Sequence, residues 1–216
     1  MNQNMILSHV DHTLLKPYCT WKDIQKLCDE AVKYGTASVC IPPSFVRHVK
    51  EEYADSLRIC TVIGFPLGYN TTESKVYETK QALRDGAQEV DMVVNIGDVK
   101  EHNYGKVFEE IRAICMEMKE SVLKVIVETC YLTEDEKIAL CECITKAKAD
   151  FIKTSTGFGT GGATIEDISL FKKHIGKDVK IKAAGGIRTR EEMEAFLNEG
   201  CERIGASSAI AALNLG

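Results

Sequence analysis

Short apolar stretches alternate with amphipathic helical stretches along the whole chain. Eight such pairs can be counted in 216 residues, which gives 27 residues for each strand and the helix that follows it. Alternation at this spacing predicts a parallel sheet covered by helices. Eight pairs fit a closed barrel, and the first strand lacks the glycine fingerprint of a dinucleotide-binding sheet. The sequence therefore predicts an α/β fold, a single (β/α)8 TIM barrel, with residues 1–216 forming one domain.

The boundaries of the expected elements follow from apolar runs and capping residues. Thr20 can cap a helix that stops at Gly35, and Thr133 with Glu136 has the spacing of a capping box. Further helices are expected at 72–85, 100–119, 164–175 and 189–200. Strands are expected at 10–15, 37–41, 58–65, 89–95, 123–128, 150–154, 180–184 and 203–206.

Three consecutive expected strands each carry a lysine at an equivalent position. Lys124, Lys153 and Lys182 are 29 residues apart each time, and Lys153 is followed by a loop rich in Gly, Ser and Thr. Buried ammonium groups lose hydration, and neighbouring ones disfavour each other's charge. One of the three is therefore expected to be an uncharged amine that can act as a nucleophile. For Lys153 taken by itself, a structural ion pair explains the pattern equally well.

Two acidic residues lie inside apolar strands, where a carboxylate needs a cation as partner. Asp91 is expected to pair with Lys182 or to relay protons through water, and a purely structural Lys–Asp bridge is the alternative. Asp11 could bind a substrate hydroxyl or could only fix the end of its strand. Its neighbour His12 is not expected to act as a base.

The loops after the seventh and eighth strands are rich in glycine and serine. In a barrel of this kind, phosphate is usually held by these two loops, where glycine lets backbone N–H groups approach an anion. Glycines that serve only tight turns are the alternative. The candidate phosphate-binding residues are Gly185, Gly186, Arg188, Gly205, Ser207 and Ser208.

Composition limits the class of partner and the compartment. A net charge of −5 without a run of Lys or Arg argues against nucleic acid, so a small molecule is expected as partner.

Nine cysteines without paired-ligand spacing predict free thiols, no metal site and a reducing compartment. The N-terminal stretch has no export signal or membrane segment, which favours a cytoplasmic protein. Cys40 is expected to be buried, although a thiol facing the pocket would be open to attack by an aldehyde.

Motifs along nearly the whole chain closely resemble the 2-deoxyribose-5-phosphate aldolases. The most specific are Lys153-Thr154-Ser155-Thr156-Gly157 and Gly185-Gly186-Ile187-Arg188-Thr189. The others are Asp11-His12-Thr13-Leu14-Leu15, Gly64-Phe65-Pro66-Leu67-Gly68, Glu89-Val90-Asp91-Met92-Val93-Val94-Asn95 and Lys124-Val125-Ile126-Val127-Glu128-Thr129. This resemblance implies a class I aldolase without a metal or other cofactor. Such an enzyme reversibly cleaves 2-deoxy-D-ribose 5-phosphate into glyceraldehyde 3-phosphate and acetaldehyde.

The resemblance also implies roles for individual residues. Lys153 takes the position of the Schiff-base lysine, Lys182 is the neighbouring cation that favours its uncharged form, and Asp91 with Lys182 moves protons. Lys124 has a supporting part near the substrate, and Gly157 joins the phosphate loops. Phe158 stands where some longer members have a lysine, and the chain has no C-terminal tyrosine, which other members use in proton transfer.

Two other functions remain open from the residues themselves. A non-catalytic barrel that binds sugar phosphates would keep the glycine and serine loops but would need no lysine cluster. A phosphosugar isomerase or decarboxylase would work through a carboxylate base or a metal. The oligomeric state is not encoded in any motif, but barrels of this sort often pair through helices, so a homodimer or larger homo-oligomer is expected.

Overall fold

Eight parallel strands close into a barrel in the computed structural model, which describes residues 1–215. Each strand pairs with the next one along the chain, and the eighth pairs with the first. The predicted (β/α)8 barrel is therefore confirmed. No helix in this described range combines the length and apolar character needed to cross a membrane.

Helices connect the strands and cover the outside of the barrel. The strands are β1 Val10–Thr13, β2 Ser38–Ile41, β3 Ile59–Ile63, β4 Glu89–Val93, β5 Val122–Ile126, β6 Phe151–Lys153, β7 Lys180–Ala184 and β8 Arg203–Ala206. The helices are α1 Gln3–Leu7, α2 Trp21–Tyr34, α3 Val46–Tyr53, α4 Thr72–Asp85, α5 Ile96–Lys100, α6 Tyr104–Met118, α7 Glu134–Ala147, α8 Ile165–His174, α9 Arg190–Glu199 and α10 Ala209–Ala212.

Local sequence signals explain where the longer helices begin. Thr20, Thr133 and Thr189 each form a capping box with an acidic residue three positions later. These reciprocal hydrogen bonds satisfy backbone N–H groups that the first turn leaves without partners. Gly35 adopts a left-handed conformation and ends α2, as its position in the sequence predicts. The apolar faces of these helices pack on the outward side chains of the strands in one large core.

The strand register arranges the inward side chains in successive layers, each built from alternate strands. The lowest layer contains Ser38, Glu89, Phe151 and Arg203. The next contains Asp11, Cys60, Lys124 and Lys182. The third contains Cys40, Asp91, Lys153 and Gly205. The uppermost contains Thr13, Val62, Ile126 and Ala184. Charged side chains thus fill the part of the barrel where branched aliphatic residues usually pack.

A second buried charge pair lies outside the barrel, between α4 and α6. Lys75 is fully buried, and its ammonium nitrogen lies 2.7 Å from Glu110 Oε1. The same nitrogen donates to the carbonyl of Val93 at 2.8 Å, and the backbone N–H of Asn95 donates to Glu110 at 3.2 Å. The pair therefore braces the chain just after β4 from the helix layer.

The sequence prediction was wrong in a few places. Residues 100–119 do not form one helix, because His102 has a positive φ of 56° and a new helix starts after Asn103. The short helix α1 was not predicted, since five residues carry little periodicity. Most expected strands were also too long: for example, β1 ends at Thr13, and the next residues belong to a loop.

Candidate active site

Lys153 and Lys182 share one carboxylate oxygen in the middle of the barrel. The Lys153 nitrogen donates to Asp91 Oδ2 at 2.8 Å, and the Lys182 nitrogen donates to the same oxygen at 2.6 Å. The two nitrogens can therefore be no farther apart than the sum of these distances. Two ammonium charges this close repel each other, and the carboxylate between them offsets part of that repulsion.

Lys124 completes the set of three lysines around Asp91. Its nitrogen lies 2.9 Å from Asp91 Oδ1, and it also contacts Glu89 in the lowest layer. Lys124 and Lys182 have no exposed surface, whereas Lys153 is 3% exposed. The structure therefore brings together the three lysines that equal spacing in the sequence had predicted to be neighbours.

Asp11 binds two cations, Lys182 in its own layer and Arg203 in the layer below. Its carboxylate accepts hydrogen bonds from Lys182 and from Arg203, and Ser38 donates to it at 2.7 Å. It has no exposed surface. These contacts make Asp11 a buried counter-charge for the cations, and binding of a substrate hydroxyl by Asp11 stays a prediction.

The pKa of each group in this cluster depends on how many opposite charges surround it. Burial by itself would raise the pKa of Asp91, but Lys124, Lys153 and Lys182 outweigh it and hold that pKa well below its usual range. The pKa of Asp11 is lowered in the same way: burial acts against Lys182, Lys124 and Arg203, and the cations prevail.

The pKa values of the two fully buried lysines of this cluster, Lys124 and Lys182, are raised. Burial by itself would lower the pKa of Lys182, but Asp11 and Asp91 raise it above its usual range. For Lys124, burial is likewise outweighed, chiefly by Asp91, and the pKa is raised. Both side chains therefore stay protonated at neutral pH and provide fixed positive charge under Lys153.

A pocket of about 420 Å³ opens at the C-terminal ends of the strands. Of the three lysines, only Lys153 lines it. The loops after β6, β7, β8 and β1 form its wall. The lining includes the predicted residues Gly157, Gly185, Gly186, Arg188, Gly205 and Ser207, together with Thr13, Leu14, Leu15, Lys16, Thr156 and Phe158.

Ser208 lies beside this pocket rather than in its wall. It lines a neighbouring cleft between α2 and α10, and its hydroxyl is buried without a hydrogen-bond partner among residues 1–215. The structure therefore places six of the seven predicted phosphate-binding residues around one pocket, with the seventh next to it.

Residues 5–215 match the model of the DeoC/LacD family of aldolases. The chain belongs to this family. A deoxyribose-phosphate aldolase of Clostridium botulinum is 62% identical over 213 residues, which cover 99% of this chain and 96% of that protein. A deoxyribose-phosphate aldolase of Clostridioides difficile is 58% identical over 203 residues, or 94% and 93% of the two chains. The tetrameric deoxyribose phosphate aldolase of Aeropyrum pernix superposes with a TM-score of 0.92 at 29% identity, covering 99% of this chain and 91% of that one.

In this member of the DeoC/LacD family, two glycine loops approach each other closely at the pocket. A side chain on Gly162 would lie only 2.2 Å from the carbonyl oxygen of Gly185. Gly185 also has a positive φ of 85°, which other residues rarely adopt. The N–H of Ala163 donates to the Gly185 carbonyl at 3.1 Å. Glycine at these two positions lets the loops after β6 and β7 form one continuous wall.

Glu128 holds the start of the loop that follows Lys153. Its buried carboxylate accepts hydrogen bonds from the N–H of Thr156, at 3.1 Å, and from the Thr156 hydroxyl. Glu128 itself has a positive φ of 57°, a strained conformation for a residue other than glycine. The strain persists because the carboxylate is fixed at both oxygens, and the result is a defined position for Gly157 at the pocket wall.

Sequence reasoning missed two charged members of the cluster, Glu89 and Arg203. Arg203 donates to both Asp11 and Glu89, and Glu89 forms an ion pair with Lys124 as well. Their positions in apolar strands were a usable signal, because a charge there needs a partner just as Asp91 does.

The cluster does not favour a metal ion. Asp91, Cys40 and Cys60 place donor atoms within 4.8 Å of one another. Both oxygens of Asp91, however, already contact lysine ammonium groups, whose charge would repel a cation.

Proposed function

We propose that the chain is a class I aldolase that reversibly cleaves 2-deoxy-D-ribose 5-phosphate into D-glyceraldehyde 3-phosphate and acetaldehyde. One observation carries the proposal: Lys153 reaches the pocket while contacting Asp91, and the other two lysines are sealed beneath it. The relatives at 62% and 58% identity are deoxyribose-phosphate aldolases.

Lys153 acts as the nucleophile. Its amine adds to the C1 aldehyde of the open-chain sugar, and water leaves as the Schiff base forms. Because the products contain two and three carbons, the bond that breaks is C2–C3. The protonated imine accepts the electron pair of this bond and becomes an enamine, while the C3 hydroxyl loses its proton and becomes the aldehyde of the three-carbon product.

Asp91 and Lys182 move the protons. While three ammonium groups face it, Asp91 is a poor base, because they lower its pKa. When Lys153 passes its proton to water before it attacks the sugar, and again when the imine becomes a neutral enamine, one of these cations is lost and Asp91 becomes more basic. We infer that Asp91, together with Lys182 and water, then transfers protons to and from the Schiff-base intermediates, including the proton that C2 of the enamine needs.

The glycine and serine loops hold the phosphate. Gly186, Gly205, Ser207 and Arg188 line the pocket, and glycine at such positions lets backbone N–H groups approach an anion. The sugar spans from these loops to Lys153, so phosphate binding holds C1 within reach of the amine. Phe158 adds an apolar surface at the rim, with its ring 5.4 Å from that of Phe65.

Borohydride reduction in the presence of acetaldehyde tests the proposal. We expect an N-ethyl group on Lys153, located by mass spectrometry after digestion, because borohydride reduces the imine. Lys153→Met should abolish both this adduct and cleavage of deoxyribose phosphate. Lys180→Met is the matched control, since Lys180 is exposed on the neighbouring strand. Labelling of Lys182 instead of Lys153, or full activity of Lys153→Met, would refute the assignment.

We also propose a homo-oligomer, supported by the tetrameric Aeropyrum pernix relative. Light scattering on the purified protein would test it, and a monomer at micromolar concentration would contradict it.

The cytoplasmic location stays a prediction.

A further inference from the structure

Two thiols that the proposed mechanism does not use lie side by side in the barrel. Cys40 on β2 and Cys60 on β3 are directly paired in the strand register, and both are fully buried. Their sulfur atoms lie within 4.8 Å of each other. All nine cysteines are free.

The backbone geometry suits a bond between these two sulfurs. Neighbouring strands lie about 4.8 Å apart, inside the range of about 4.4–6.8 Å that Cα atoms of a disulfide span. Both side chains point to the barrel interior, where they pack with Val62 in a small apolar cluster of their own. The two sulfurs can therefore meet by side-chain rotation, without moving the sheet.

The groups around the two thiols make Cys40 the more reactive one, whereas Cys60 donates a hydrogen bond to Asp91. Lys124 lies 3.3 Å from the Cys60 sulfur, and Cys60 donates to Asp91 at 3.2 Å. The neighbouring Cys60 thiol lowers the pKa of Cys40 against the effect of burial, with help from Lys182 and Lys153. Burial, followed by the neighbouring Cys40 thiol, raises the pKa of Cys60. Cys40 is thus the better nucleophile of the pair.

We propose that Cys40 and Cys60 form a modification site, at which a small peroxide oxidises the pair to an internal disulfide that slows the enzyme. The Cys40 thiolate attacks one peroxide oxygen, the O–O bond breaks, and a sulfenic acid forms. The Cys60 sulfur then displaces the hydroxyl group from Cys40. In total, two thiols and one hydrogen peroxide give one disulfide and two waters, with two electrons passing from sulfur to oxygen.

Only a small oxidant has a short route to this site. Leu15 and Phe65 are partly buried and pack against the thiol cluster. Leu15 also lines the pocket, and Phe65 contacts Phe158 at its rim. These two side chains therefore separate Cys40 from the space that the substrate enters, and a molecule close to water in size needs the smallest displacement to pass them.

The disulfide changes the surroundings of Asp91. Once Cys60 is bonded to Cys40, it has no proton to donate to Asp91 and its sulfur turns away from Lys124. A hydrogen bond to a charged group contributes enough free energy that a step which depends on it slows roughly tenfold or more without it, and we expect cleavage to slow by this factor. The predicted slowing depends on the proposed function, whereas formation of the disulfide does not.

Peptide mapping combined with kinetics tests the proposal. Reduced protein is treated with hydrogen peroxide, the remaining thiols are alkylated, and the digest is searched for a Cys40–Cys60 cross-link lacking two hydrogens. We expect this cross-link to appear at the rate at which deoxyribose phosphate cleavage falls, and dithiothreitol to reverse both. In Cys40→Ser and Cys60→Ser, each compared with its own untreated activity, reversible inhibition should disappear. Cys28→Ser is the control, because Cys28 is equally buried but lies on α2.

Each other outcome refutes one part of the proposal. A cross-link that does not form, or that joins other cysteines, refutes the modification site. A cross-link that forms while activity stays constant refutes the slowing. Equal, reversible inhibition of Cys40→Ser places the sensitive thiol elsewhere. If the untreated protein does not cleave deoxyribose phosphate, the proposed function fails, and the mass measurement still decides whether the disulfide forms.

Discussion

The chain buries lysine in two regions, and the two regions respond to burial in opposite ways. In the barrel interior, the pKa values of Lys124 and Lys182 are raised, although burial by itself would lower them. In the helix layer, burial prevails over Glu110 and lowers the pKa of Lys75. The partner acids differ too, since the pKa of Asp91 is lowered while burial raises that of Glu110.

The difference lies in how many opposite charges surround each group. Lys182 contacts two carboxylates and Lys124 contacts three, whereas Lys75 has one carboxylate and one backbone carbonyl. A single buried pair commonly fails to offset the loss of hydration, while a network can offset it. The comparison teaches that permanent charge at the centre of the barrel depends on the whole network, and that Lys75 is held mainly as a hydrogen-bond donor.

The largest expected effect is on catalysis at the centre of the barrel. Asp91→Asn removes the shared acceptor of Lys153 and Lys182, and we expect kcat to fall on the order of 10²- to 10⁴-fold. Steady-state kinetics on deoxyribose phosphate provide the measurement, with circular dichroism to confirm folding. Glu110→Gln, in the other region, should keep kcat within about twofold of wild type. If both variants lose activity equally, the two regions do not differ in function.

The next largest effect is on stability below the catalytic layer. Asp11→Asn leaves Lys182 and Arg203 without a shared counter-charge, and such a loss costs about 3–5 kcal/mol of unfolding free energy. Urea unfolding gives this value. Asp178→Asn is the control, because Asp178 is exposed. A loss below about 1 kcal/mol would mean that the network tolerates the removal of any single carboxylate.

A smaller loss is expected in the helix layer. In Glu110→Gln, Lys75 can give up its proton and still donate to Val93, because its charged form is already disfavoured. We expect a loss of about 1–2 kcal/mol in urea unfolding. Glu109→Gln, one residue earlier and exposed, should change stability little. A loss as large as that of Asp11→Asn would remove the contrast between the regions.

The smallest effect is the pH dependence of stability. The pKa values of Asp11 and Asp91 are lowered in the folded protein, so both carboxylates contribute to the free energy of unfolding. This contribution is present above their unfolded pKa of 3.8 and is lost as pH falls below that value. The raised pKa of Lys182 gives a contribution to stability that is present below its unfolded pKa of 10.5 and is lost only at higher pH. The barrel network should therefore contribute equally from about pH 5 to pH 9.

The pair in the helix layer should behave differently over the same range. The raised pKa of Glu110 gives a contribution that is present below 4.5 and lost as pH rises through the folded value. The stability difference between wild type and Glu110→Gln should therefore shrink as pH rises above 4.5, while that for Asp11→Asn stays flat. Urea unfolding at several pH values measures both slopes, and a steep slope for Asp11→Asn would contradict the assignment.

The sequence allowed the barrel and the lysine cluster to be predicted because both depend on regular spacing. Helix α4 at 72–85 and strands β7 and β8 have the predicted boundaries, since capping residues and apolar runs mark their ends. Lys124, Lys153 and Lys182 come together because equal spacing in a repeating fold places residues at equivalent points of neighbouring strands.

What could not be predicted depends on register around the closed barrel. Arg203 meets Glu89 across the interior, although the two are 114 residues apart in sequence. That contact follows from the stagger of the strands, which no local pattern specifies. The break at His102 was missed for a different reason, because the weak helix formers His102, Asn103 and Gly105 were a signal that the prediction did not use.

The layered interior also limits how this enzyme can change. Above the uppermost layer of strand residues, the walls are loops, and substitutions there alter which aldehyde fits without disturbing the strands. Below it, each charged side chain balances several others, so a single replacement upsets them all. Laboratory evolution toward new substrates should therefore accumulate changes at the mouth of the barrel, while the lower half is retained as one indivisible unit.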